Sequence, residues 1–368
     1  MRILFVLPEL KGGGAERVVL DLLRMLERSR FECTLFLLKR EGVYWGEVPA
    51  GVTLVAPEGY GRLRYRFPAL LGRLLWHARQ SALIVGALEL EATYLAYSAG
   101  ALARKRVIGW VHTVLAEQLK RVPPWHRRAV EVIYPRLIRV VFASHGGLES
   151  ARGVVHLDWN RATVIPNLLD PTRLDRAASE NLPEWAVKVV GKPTILGIGR
   201  LDSPKGFDVL IEAHARLRRT GLDHHLLILG DGPLRADLKL LVKRLSVEDT
   251  VFMPGFTPNP YPIMKRTSLF VLSSRFEGLP VVVLEALTLG LPVVATDCPG
   301  TGEILDAGRY GLIVPRDDPG ALAQAVAKVL RDPALRAKLS GDGLARARSF
   351  FPESVVPRWE DLFRELAS

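Results

Sequence analysis

Cysteine is scarce in this chain of 368 residues: Cys33 and Cys298 lie far apart, with no second pair and no histidine ligand pattern beside either. That scarcity excludes a disulfide-stapled scaffold and a structural zinc site, and it points to a reducing compartment, the cytoplasm. Long hydrophobic runs are missing too. The apolar start of Met1–Pro8 is interrupted by Glu9 and Lys11, too short for a signal peptide or a membrane span, and it reads instead as a buried strand. A dinucleotide fingerprint needs a third glycine that neither Gly197/Gly199 nor Gly230/Gly232 has, because Asp202 and Arg235 stand in its place. The phosphate-binding run G-x-x-x-x-G-K-[ST] is absent as well, which disfavours nucleotide hydrolysis of that kind.

What is present is an ordinary folded composition, 48% apolar and 24% charged, in a length that predicts two domains with separate cores. Fifty Lys and Arg against 39 Asp and Glu leave a net charge of +11, so phosphates, acidic lipids or nucleic acid are the partners to expect. The excess is uneven: residues 1–187 carry 26 basic and 18 acidic side chains, a net of +8, and the remainder carries +3. A large acidic partner therefore meets the first half.

Both halves alternate strand and helix patterns. In the first, a strand over Ile3–Leu7 leads through Gly12–Gly14 into a helix over Ala15–Leu26, and apolar runs follow at Cys33–Leu38, Leu83–Ala87, Val107–Val111, Val140–Ala143 and Thr163–Ile165. Residues 182–193, with prolines and mixed polarity, read as a linker. A second series has six strands, starting at Thr194, His225, Val251, Leu269, Pro292 and Gly311, with helical stretches between them. The pattern predicts an α/β protein of two Rossmann-like, doubly wound domains, 1–181 and 194–350, facing each other across a cleft. Residues 351–368 form a final amphipathic helix that packs back on the first domain.

Chemistry concentrates in the second series. Glu277 and Glu285 flank a strand-to-helix junction at Arg275-Phe-Glu-Gly-Leu-Pro-Val-Val-Val-Leu-Glu285, where helix N-terminal amides suit an anion. Arg200 and Lys205 follow the first strand of the same domain, and two loop cations there suit a diphosphate. Gly197, Gly199, Gly230, Gly232, Gly300 and Gly302 let backbone approach a ligand closely. His224 and His225 read as surface or strand-start residues.

Taken together, Gly12–Arg17 (G-G-G-A-E-R), Trp110-Val-His112-Thr113, Val164-Ile-Pro-Asn167, Gly199-Arg200 with Lys205-Gly206, and the Glu277/Glu285 pair resemble the retaining, nucleotide-sugar-dependent glycosyltransferases of family 4, which have the GT-B fold. The resemblance covers essentially the full length. It implies that Arg200 and Lys205 bind the donor diphosphate, that Glu285 holds the ribose hydroxyls, and that Glu277 lies beside the donor sugar. It implies further that the backbone of Gly199, Gly230, Gly278, Leu279, Pro280, Val281 and Val282 contacts the donor, that Gly13 and Gly14 close over it, and that His112 touches its sugar. No Asp-x-Asp triplet occurs, so the expectation is a metal-free, cofactor-free transfer of a hexose or N-acetylhexosamine by front-face attack with retention. The run Thr296–Glu303 is similar to members that use UDP-linked N-acetylhexosamines and tilts the donor toward UDP.

For the acceptor the clue is charge. Tyr60–Arg79 carries five arginines and no acid, and Arg104–Arg139 adds nine basic residues against Glu117 and Glu131. Interleaved with Tyr60, Tyr65, Phe67 and Trp76, they suit an anionic membrane surface and a glycan or lipid-linked acceptor taken on the cytoplasmic face. A sugar-nucleotide epimerase shares the architecture, and a non-catalytic polyanion binder would use the charge. Against a nucleic-acid surface stand Glu277 and Glu285 beside the cations.

Overall fold

The computed structural model describes residues 1–57 and 63–367, with the side chains of 63–67 outside the description. Tyr60, Arg62, Arg64, Tyr65, Arg66 and Phe67 of the basic run therefore lie outside the described side chains. The chain divides into two compact units, Met1–Leu169 with Phe351–Ser368, and Asp170–Phe350.

In the first unit the strands are β1 (Arg2–Leu7), β2 (Glu32–Leu37), β3 (Thr53–Val55), β4 (Leu83–Gly86), β5 (Arg106–Val111), β6 (Arg139–Phe142) and β7 (Ala162–Val164). They pair in the order β3-β2-β1-β4-β5-β6-β7, and every pairing is parallel. Helices cover such a sheet on both faces, which is why Ile3–Leu7 is an unbroken apolar run, buried throughout, and not an alternating one. The order reverses between β1 and β4, so the loops leaving those strands diverge and open a crevice at the carboxyl edge.

The helix Pro352–Ala367 belongs to this unit. Phe363 packs edge-on against Phe5 and Phe31 at 6.1 and 6.0 Å between ring centroids, and Trp359 lies 4.4 Å from Trp110 of β5. Arg106 donates to the Leu366 carbonyl at 2.6 Å and pins the last turn. Burying Trp359 and Phe363 completely contributes roughly 1.5–3 kcal/mol each.

The second unit holds β8 (Thr194–Ile198), β9 (His225–Leu229), β10 (Val251–Gly255), β11 (Leu269–Leu272), β12 (Val293–Thr296) and β13 (Leu312–Val314), in the order β10-β9-β8-β11-β12-β13. Its reversal lies between β8 and β11, the strands whose following loops carry Arg200 and Lys205 on one side and Glu277 on the other.

Three expectations about the chain's layout need correction. Residues 182–193 are not a linker between the domains, because they lie within the second unit and Glu184–Val190 is a helix that buries Ala186 and Val189. The division between units falls at Leu169/Asp170 and not at 181: the Asp170 carboxylate accepts from the Thr172 and Arg173 amides at 3.0 and 3.1 Å and so caps a helix, Pro171–Ala178, that belongs to the second unit. Finally, His224 is fully buried. Its Nε2 meets His214 Nδ1 at 2.9 Å, and His214 Nε2 meets the Thr250 hydroxyl at 2.8 Å, a chain that ties the helix Phe207–Arg219 to the turn before β10.

Candidate functional site

At the carboxyl edge of the second sheet the loops touch one another backbone to backbone. A Cβ on Gly230 would stand 1.9 Å from the Gly199 carbonyl oxygen, and one on Gly300 would stand 1.8 Å from that of Gly278. Gly230 also takes a φ of +141°, which side chains rarely adopt. These glycines let the protein's own loops interlock at that edge.

Into that frame the loop after β8 delivers Lys205, at the end of a short turn, Ser203–Lys205. Its ammonium donates to Glu277 Oε1 at 2.6 Å, and the Ser274 hydroxyl donates to the same oxygen at 2.7 Å. Gly199 lies against the Lys205 stem, where an added Cβ would be 3.3 Å from Cδ and Cε. Burial pulls the Lys205 pKa down, but the charge and hydrogen bond of Glu277 outweigh it, and the net shift is upward. Arg200 differs: its side chain is 72% exposed and meets Asp202 across 3.5 Å. One cation is thus locked in place, and the other reaches into solvent.

Glu285 sits on the helix Val281–Thr288, whose other early side chains, Val281, Val283 and Leu284, are buried. Spaced three apart, Val282 and Glu285 share the half-buried face, while Gly278, Leu279 and Pro280 are buried in the approach to the helix. The Tyr261 hydroxyl donates to Glu285 Oε1 at 2.7 Å and fixes the carboxylate's rotamer. Burial first, and then the Glu285 charge, raise the Tyr261 pKa well above 10.0, so the phenol stays a donor. Tyr261 escapes sequence reading: it lies 24 residues from its partner, between two prolines, in no recognisable spacing. Arg275, from the same motif as Glu277, spends its guanidinium on Asp208 and Asp317, each at 2.7 Å, and braces the loop.

The first unit places its residues on its own sheet edge. Gly13 and Gly14 open the helix Gly14–Met25, but the amides of Gly12 and Gly13 are already taken by Glu16 Oε2 at 2.8 and 3.2 Å. Arg17 of the same run is buried against Glu47 and stacks over Tyr44 at 3.8 Å, so its role there is structural. His112 directly follows β5 and is 6% exposed, with its ring 4.4 Å from that of Trp110. Neither ring nitrogen makes a hydrogen bond of good geometry. Burial lowers its pKa to about 4, against weaker opposing contributions from Asn167 and the Ala87 backbone, so the imidazole is neutral at physiological pH.

A cation paired to a carboxylate, an exposed cation on the same loop, and a carboxylate oriented by a phenol are groups of the kind that bind a diphosphate and hydroxyls. Among known proteins, the family profile described as Glycosyl transferases group 1 matches residues 179–344, and that described as Glycosyltransferase Family 4 matches residues 12–173. The chain belongs to this glycosyltransferase family.

Two curated relatives align with parts of it. The N-acetylgalactosamine-N,N'-diacetylbacillosaminyl-diphospho-undecaprenol 4-alpha-N-acetylgalactosaminyltransferase of Campylobacter jejuni is 32% identical over 222 residues, which are 60% of this chain and 58% of that protein. An uncharacterized glycosyltransferase of Methanocaldococcus jannaschii is 30% identical over 232 residues, 55% of this chain and 57% of its own length. The chain thus spans little more than half of these relatives. Among solved structures, Anabaena HepE in complex with UDP and glucose superposes with a TM-score of 0.83 at 21% identity, covering 99% of this chain and 100% of that one. Sucrose-phosphate synthase from Thermosynechococcus elongatus gives 0.80 at 20%, covering 100% and 99%. The family member has the α/β GT-B fold of these glycosyltransferases, built from two Rossmann-like sheets.

Proposed function

We propose that this glycosyltransferase moves a hexose or N-acetylhexosamine from a nucleotide-diphosphate sugar to a glycan or lipid-linked acceptor, with retention and without a metal. The observation that carries the reading is the Lys205–Glu277 pair, held at 2.6 Å at the reversal point of the second sheet, on a loop that also carries the exposed Arg200. In the reaction the bond from the anomeric carbon to the diphosphate oxygen breaks as the acceptor oxygen bonds to the same face, and the acceptor proton passes to the departing phosphate oxygen. Lys205 and Arg200 stabilise the charge that builds on that leaving group, Glu277 accepts from a hydroxyl of the sugar, and Glu285 accepts from the ribose.

Support for a UDP-linked donor comes from the resemblance around Thr296–Glu303 and from HepE, which was solved with UDP and glucose. The Campylobacter relative, named for a diphospho-undecaprenol acceptor, supports a lipid-linked one. The deciding experiment is calorimetric titration of the protein with UDP-, GDP- and ADP-linked sugars, with and without EDTA. Micromolar binding of one of them, indifferent to EDTA, is expected; binding of none would overturn the reading. Replacing Tyr261 by phenylalanine keeps the ring and loses one hydrogen bond to a carboxylate, about 1.5–3 kcal/mol, so the donor Kd should rise roughly tenfold or more in the same titration.

No helix among the described residues is long and apolar enough to cross a membrane. On the helix Leu63–Gln80, however, exposed Arg73, Trp76 and Arg79 recur along one side, and Trp76 is 62% exposed. Helix Trp125–Ile133 likewise exposes Trp125, Arg128 and Val132. Basic and aromatic side chains so arranged suit an anionic bilayer on the cytoplasmic side, each cation contributing about 1 kcal/mol near the surface. Cosedimentation with phosphatidylglycerol vesicles at low salt is expected for the wild type and should be lost when Arg73 and Arg79 become Glu, with donor binding unchanged. A wild type that ignores such vesicles would favour a soluble acceptor.

A further inference from the structure

The two oxygens of the Glu277 carboxylate are not equivalent. Oε1 accepts from both Lys205 and Ser274, whereas Oε2 has no hydrogen-bond partner among the described residues. One oxygen is saturated by the protein, and the other is left open on a side chain that is 13% exposed. The ammonium alone would not keep them distinct, because it is a compact charge with three donors, about which a carboxylate can turn and present either oxygen or both. A second donor on Oε1, reaching it from the end of β11 while Lys205 comes from the loop after β8, removes that freedom.

Ser274 is placed to give that bond. The residue is fully buried, and its backbone is held from two sides. From β12 and the loop after it, the Thr296 hydroxyl and, at 3.1 Å, the Cys298 thiol donate to the Ser274 carbonyl. Toward the β8 loop, the Ser273 hydroxyl donates to the Lys205 carbonyl at 2.9 Å and the Arg275 amide to the Pro204 carbonyl at 2.7 Å. None of these contacts needs a hydroxyl on Ser274, and alanine would fit the same clamp. A buried hydroxyl requires a partner, and the one it has is Glu277. All of these groups belong to the second unit.

We propose that Ser274 is the positioning residue for Glu277: together with Lys205 it holds Oε1, so that Oε2 is the oxygen that accepts from a hydroxyl of the donor sugar. The proposal rests on the glycosyl-transfer reading for what Oε2 accepts and on the two hydrogen bonds for which oxygen is open.

The test is a double-mutant cycle on the release of nucleoside diphosphate from the sugar nucleotide that binds in the titration above, UDP-glucose being tried first, with water as acceptor. Ser274→Ala should lower kcat by about tenfold, less than a complete misplacement of the carboxylate because the ammonium still holds it, while the Kd of UDP-glucose changes by less than about threefold and that of UDP stays the same. In a Glu277→Ala background the same substitution should change kcat by less than about twofold, since no carboxylate is left to direct. A serine with a merely structural role would cost the same in both backgrounds, and that result overturns the proposal, as does a wild-type kcat in folded Ser274→Ala. Should Ser274→Ala fail to fold, Ser274→Cys, which keeps nearly the same size and weakens the donor, is read in the same way. The crystal structure of the variant gives a readout independent of turnover: the Glu277 carboxylate should have turned about the Lys205 ammonium, and a carboxylate that has not moved overturns the positioning. A wild type that binds no sugar nucleotide overturns the transfer reading instead, and the same crystal structure still decides whether Ser274 holds Glu277.

Discussion

Lys205→Ala should lower kcat/KM by about two to three orders of magnitude, the scale of losing one preorganised donor aimed at developing negative charge. The size of the effect follows from how completely the ammonium is committed. Its stem lies against Gly199, its head is 2.6 Å from Glu277, and its side chain is only 24% exposed, so the charge is held in one direction. Arg200, 72% exposed, should cost less when replaced, because solvent and counterions already share its work. The alanine variant also strands a carboxylate that is 13% exposed, which costs stability as well as rate. The two losses separate in Lys205→Met combined with Glu277→Gln, where removing both charges should return much of the melting temperature and none of the turnover. Wild-type kcat/KM in a folded Lys205→Ala protein would remove the diphosphate from this loop.

The same pair sets an expectation for pH. Since the folded-state pKa of Lys205 is raised above its ordinary 10.5, its contribution to stability is fully present below that value and is lost as pH rises through the higher folded-state value. The cation is therefore charged throughout the neutral range, and a fall of activity between pH 7 and 9 would have to come from another group.

Much of this site was legible in the sequence because its parts sit where a parallel sheet always offers them, directly after strands. Apolar runs such as Leu269–Leu272 mark the strand, and the polar residues that follow mark the loop. Elements without such contrast were missed. The helix Pro333–Ala347 buries Leu339, Gly343 and Ala347 along one side, two of them too small to register as an apolar stripe. Thr53–Val55, only three residues long, gives no periodicity to read. Tyr261 was missed for a different reason: it acts through a partner 24 residues away, and no local spacing encodes that proximity. The linker was misread because Pro183 and Pro193 look like breakers, although the first merely starts a helix and the second precedes β8.

The two carboxylates should respond differently to neutralisation. Glu285 is oriented from behind by Tyr261 and shares a helix face with Val282, a setting suited to holding a part of the donor that does not change during the reaction. Glu285→Gln should therefore raise the donor Kd by about tenfold and leave the rate of bound donor nearly intact, the signature of lost uniform binding. Glu277 is coupled to the ammonium that we propose stabilises the leaving group, and its Oε1 already accepts from both Lys205 and Ser274. Taking its charge away leaves that ammonium without the partner that raises its pKa, and loosens its direction just where charge develops. For Glu277→Gln the larger loss should thus fall on kcat, by about a hundredfold, with the donor Kd changed only severalfold. Single-turnover rates at saturating donor, set beside calorimetric affinities, separate the two cases. Equal rises in Kd with bound-donor rates spared in both variants would show that Glu277, like Glu285, only holds the donor.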